Sequence, residues 1–110
     1  WEVDIAEGGD ASLSGNIIVQ GKRSANSNII GFAMESKGKK LAALQRFLAK
    51  DNLLINDKNK GKFIEMKAVP GLVISAEGNL AIGKGTVPKK GFRYLALAVE
   101  LAACVATNVA

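Results

Sequence analysis

Near its start the chain reads "GDASLSGNIIVQG" (residues 9–21), and the alternation in this stretch constrains the fold more than any other feature. Ala11, Leu13, Gly15, Ile17 and Val19 fall on one side, and Ser12, Ser14, Asn16, Ile18 and Gln20 on the other. Successive side chains of a strand point to opposite faces, so residues 11–20 read as one β-strand with an apolar face. Gly15 stands in the middle of that face, where a core strand would carry a larger side chain.

The rest of the chain continues in short strand-like runs separated by turn residues. "NIIGFAMES" (28–36), "NLLIN" (52–56) and "KFIEMKAV" (62–69) read as strands. "GLVISAEGNLAIGKG" (71–85) reads as two strands joined by a turn at Glu77-Gly78-Asn79. "KKLAALQRFLAK" (39–50) spaces Leu41, Leu44, Phe47 and Leu48 as an amphipathic helix would, and predicts one short helix. In residues 92–106 the alternation of Leu95, Leu97, Val99 and Leu101 favours a strand, while the alanine content suits a helix. Leu72, Ile74, Leu95, Leu97, Val99 and Leu101 are the expected core. No internal repeat or linker is read. At 110 residues one domain is expected, mostly β, with strands at the spacing of an immunoglobulin-like sandwich.

Composition narrows the function. The chain has no histidine, which removes the commonest general base and metal ligand. Its one cysteine, Cys104, allows neither an intrachain disulfide nor a zinc site and reads as a buried thiol. "GNLAIGKGT" (78–86) comes within one residue of a phosphate-binding loop, but Val87-Pro88 opposes the helix that such a loop requires. No enzyme activity and no cofactor are therefore expected. The net charge of +5 comes from lysines scattered over turns, with few aromatics among them, so nucleic acid is a disfavoured partner. The longest apolar run is interrupted by Glu100 and is too rich in alanine to predict a membrane span. Trp1 in place of an initiator methionine suggests a processed, exported chain.

After residues 1–20, some 90 residues remain, slightly few for a complete sandwich of about 100. A sandwich lacking one strand leaves a groove that a neighbour's extended N-terminus can fill. Ala11, Leu13, Gly15, Ile17 and Val19 form a candidate donor strand, with Gly15 where the groove is shallow. An ordinary first strand of the chain's own sheet is the alternative.

The start "WEVDIAEGGDASLSGNIIVQG" resembles the mature N-terminus of Fae-type fimbrial subunits, the K-88 class of chaperone–usher pilins. Trp1, Gly9, Asp10, Leu13, Gly15 and Ile17 carry the resemblance, and "KGFRYLALAVE" (90–100) is more loosely similar to a strand of that family. It implies a pilin-type sandwich lacking or exchanging one strand, with residues 1–20 as donor extension and 21–110 as domain. It further implies a structural or minor fimbrial subunit, possessing as partners its own copies or related pilins, a periplasmic chaperone and an outer-membrane usher. A host glycan is allowed as a ligand. The route is export through the periplasm to a cell-surface fimbrium. Two departures stand out: the chain is shorter than the adhesive major subunits, and "VATNVA" lacks the C-terminal aromatic that commonly ends pilins. A small basic β-rich module for nucleic acid or anionic polysaccharide is the alternative function.

Overall fold

A computed structural model describes residues 1–35 and 44–96. Ten strands follow one another, with no helix among the described residues. They are β1 (Val3–Ile5), β2 (Asp10–Ser14), β3 (Ile17–Gln20), β4 (Ile30–Phe32) and β5 (Arg46–Lys50). The remainder are β6 (Leu53–Asn56), β7 (Ile64–Met66), β8 (Val73–Glu77), β9 (Asn79–Gly83) and β10 (Phe92–Leu95). No strand pairs with its neighbour in sequence except β9 with β10. The sheets run β1-β4-β7, β2-β5-β8 and β3-β6-β9-β10, and every pairing is parallel. The chain therefore winds as a coil of three faces, each turn stacking on the one before: a parallel β-solenoid.

The mostly-β expectation holds, but the arrangement differs from an immunoglobulin-like sandwich, whose two sheets are antiparallel. The reason lies at the corners. Gly15 (φ 68°), Asp51 (φ 56°) and Gly78 (φ 68°) each adopt a left-handed conformation at the junction of two consecutive strands. One left-handed residue turns the chain onto the next face without reversing it. Glu77-Gly78-Asn79 is such a corner and not a hairpin turn. The corners also expose a repeat: "LSGNIIV", "AKDNLLI" and "AEGNLAI" stack on one another, each with glycine or aspartate before an asparagine.

Residues 39–50 carry the second correction. Arg46–Lys50 is strand β5, with Phe47 and Ala49 buried and Arg46 and Lys50 exposed, while Leu44 is 51% exposed. Helix propensities differ by tenths of a kcal/mol per residue, and burying a phenylalanine outweighs them. The start of the expected helix (39–43) lies outside the described residues, as does the C-terminal segment from residue 97.

Inside the coil, Ile30 and Phe32 from the first face meet Phe47 and Ala49 from the second and Leu54 and Ala81 from the third. The Phe32 and Phe47 rings meet edge to face, 5.5 Å between centroids. Of the expected core, Leu72 is half-buried, but Ile74 is 57% and Leu95 39% exposed, because among the described residues β8 and β10 are the last strands of their sheets. Leu97, Val99 and Leu101 fall outside the described residues.

Candidate assembly edge

Residues 10–20 form an edge of the solenoid. β2 pairs with β5 and β3 with β6, and among the described residues no strand lies on their other side. Gly15 N donates to Lys50 O (3.0 Å) and Arg46 N to Gly9 O (2.9 Å). In β2 the groups of Ala11 and Leu13 therefore point into the ladder, and the N–H and C=O of Asp10, Ser12 and Ser14 point away. Leu53 N donates to Asn16 O and Asp57 N to Gln20 O, so the same alternation turns the main-chain groups of Ile17 and Val19 outward.

The five residues assigned as a donor strand do not share one face here. Ala11 and Leu13 pack against the core from β2. Gly15 makes the corner, and a Cβ there would meet nothing within 4 Å. Beyond it the phase flips, so Ile18 packs inward while Ile17 (70% exposed) and Val19 (53%) stand on the outer surface. In register below them lie Leu53 and Leu80, half-buried, and Ile55 and Ile82, buried in a small second apolar cluster.

An asparagine ladder runs down the corner. Asn16 N and Nδ2 both donate to Asn52 Oδ1, and Asn52 N and Nδ2 both donate to Asn79 Oδ1, at 2.9–3.0 Å. Asn79 Nδ2 donates to the carbonyls of Ala49 and Gly91, which closes the ladder at its far end. At the near end no donor reaches Asn16 Oδ1 among the described residues. Gln20, fully buried on the same edge strand, donates to Asn56 Oδ1, but its own Oε1 has no partner. The edge thus presents one open side-chain acceptor, Asn16 Oδ1, beside main-chain groups that no described strand pairs, while Gln20 Oε1 is enclosed behind it.

Asp10 forms a bidentate pair with Arg46 on this edge, with Oδ1 accepting from Nε (2.9 Å) and Oδ2 from Nη2 (2.8 Å). The Arg46 guanidinium, through these bonds, holds the Asp10 carboxyl below the ordinary carboxylate range. A depressed folded-state pKa stabilises the fold above the unfolded pKa, and this contribution disappears as pH falls through the folded value. Both groups are solvent-exposed, so the effect is small. Asp10→Asn should lower the melting temperature slightly near neutral pH, and the difference from the parent should vanish in acid. A difference that grew in acid would contradict the pairing.

No three His, Cys, Asp or Glu side chains could share a metal among the described residues. The phosphate-loop lookalike is strand: Asn79–Gly83 is β9. No described helix is long and apolar enough to cross a membrane. The corner motif [G/D]-N was the sequence signal for this site, and it was legible at residues 15–16, 51–52 and 78–79.

The fold and site define a class, a parallel β-solenoid whose β2–β3 edge has no strand partner among the described residues. The chain matches no family model, no curated protein and no solved structure.

Proposed function

We propose that the chain is a non-catalytic structural subunit that assembles through the edge formed by residues 10–20, in the manner of the fimbrial subunits its N-terminus resembles. The supporting observation is the edge itself: β2 and β3 offer main-chain groups that no described strand pairs, together with the Asn16 acceptor, which no described donor reaches. An unpaired parallel edge is a template for a strand from another molecule. Of Ala11, Leu13, Gly15, Ile17 and Val19, Ile17 and Val19 turn their main-chain groups toward a partner, together with Asp10, Ser12 and Ser14, while Ala11 and Leu13 pack into the chain's own core and Gly15 shapes the corner between the two strands. The partner is a copy or a related solenoid whose corner asparagine can donate to Asn16 Oδ1, as Asn16 does to Asn52. Delivery by a periplasmic chaperone and an outer-membrane usher to a surface fimbrium belongs to the same reading, on the strength of the resemblance.

Sedimentation velocity across a range of concentrations tests it. The parent chain should form a ladder of oligomers. Ser12→Pro removes an N–H that points away from β5, a place where proline is tolerated on an edge, and should leave a folded monomer. Ile17→Lys, at an exposed edge position, should do the same by charge repulsion between stacked copies. A parent that stays monomeric throughout, or variants that oligomerise as the parent does, would overturn the assembly reading.

A further inference from the structure

We infer that a second corner of the solenoid, where the chain leaves β3, β6 and β9, is a binding site for a sulfated or carboxylated polysaccharide. The turns "GKR" (21–23), "DKNKG" (57–61) and "KG" (84–85) follow those three strands directly. Because β3, β6 and β9 pair in register, their exits are stacked as well. Lysines scattered along the sequence are thereby gathered on one side of the molecule. Lys22, Lys58 and Lys60 line an open cleft of ≈ 650 Å³ with Asn59 and Asp57. Lys84 belongs to the next turn down, and Arg23 to the first. Among the described residues, Asp57 is the one acidic residue lining the cleft.

These turns are held in place by a buried side chain. Asn56 is 1% exposed, and its Nδ2 donates to the carbonyls of Lys60 (3.0 Å) and Lys84 (2.8 Å). Its Oδ1 accepts from Lys58 N (3.0 Å) and from Gln20 Nε2 (3.3 Å). One residue thus ties the second turn to itself and to the third. Gly83 makes this fit possible, since a Cβ there would come within 2.3 Å of Asn56 O. Lys58 Nζ reaches back to Lys22 O (3.3 Å), linking the second turn to the first and leaving further ammonium donors for a ligand.

Stacked strands repeat about every 4.8 Å, so successive turns offer cations at short regular intervals along the solenoid axis. A linear polyanion can engage several at once, releasing counterions as it binds. Single-stranded nucleic acid would also require aromatic platforms for its bases, and no aromatic residue lines this cleft. Sulfate or carboxylate groups carried on sugar rings need only the ammonium groups and the polar Asn59.

Affinity for heparin, measured by fluorescence anisotropy or calorimetry at several salt concentrations, tests this site. The parent should bind heparin with strong salt dependence, bind neutral dextran not at all, and bind single-stranded DNA more weakly than heparin. Lys58→Glu with Lys60→Glu should weaken heparin binding on the order of tenfold or more. Lys89→Glu with Lys90→Glu changes the net charge equally but lies outside the cleft, and should change binding by less than about twofold at moderate salt. Equal losses in both double variants would overturn the site in favour of general charge attraction. DNA bound as tightly as heparin would overturn the choice of ligand. The same comparison in the Ser12→Pro background separates this site from the assembly edge, since a monomer retains the whole corner.

Discussion

Asn79→Leu should destabilise the chain by about 3–5 kcal/mol in urea unfolding, among the largest losses for a polar residue of this protein. Asn79 is 2% exposed and its side chain takes part in four hydrogen bonds, two through Oδ1 from Asn52 and two through Nδ2 to Ala49 O and Gly91 O. Leucine matches the volume but leaves the Asn52 N–H without its acceptor, the Asn52 amide with Leu13 O alone, and the carbonyls of Ala49 and Gly91 without the Asn79 amide, all in a buried site. Each orphaned buried group costs about 1–3 kcal/mol. Asn16→Leu provides the internal comparison. Asn16 is half-buried at the open end of the ladder, and its loss should cost about 1 kcal/mol, as for an ordinary hydrogen bond. If both substitutions cost the same small amount, the corner is hydrated and the ladder does not hold the coils in register.

That ladder also explains which parts of the fold were legible. The segments "NLLIN" and "GLVISAEGNLAIGKG" were read as strands at almost the positions of β6, β8 and β9. Their local pattern is strong because β-branched and aliphatic residues alternate between short breaks. The direction of pairing was not legible from the same pattern. A glycine between two strands serves a hairpin or a solenoid corner equally well, and only the recurrence of [G/D]-N at residues 15–16, 51–52 and 78–79 distinguishes them. Alternation across residues 11–19 misled for a related reason. Counting by twos through Gly15 places Leu13 and Ile17 on one face, but a left-handed residue between them resets the phase. The assembly edge was found in sequence as a stretch, and its chemistry, an open ladder end, needed the stacked neighbours to be seen. The basic corner is not legible as one site in the sequence, because residues 22, 58, 60 and 84 lie far apart in the chain. Register alone brings them together.

Phe47→Ala should cost about 3–5 kcal/mol, the usual loss for truncating a buried phenylalanine. Phe47 is 1% exposed, sits in register between Ala11 of the coil above and Ile74 of the coil below, and meets Phe32 edge to face. Neither neighbour in the stack can refill its space, since Ala11 is small and Ile74 is more than half exposed. Phe47→Leu keeps most of the volume and should lose less than about 1.5 kcal/mol if the neighbours repack. Leu44→Ala is the decisive control. In an amphipathic helix over residues 39–50, Leu44 and Phe47 would share the buried face and both would be costly to truncate. In the strand, Leu44 lies before β5 and is 51% exposed, so its loss should fall within about 0.5 kcal/mol. Comparable large losses at both positions would restore the helix and dismantle the second coil. A large loss at Phe47 alone requires a strand there, and with it the stacking that creates both the edge and the basic corner.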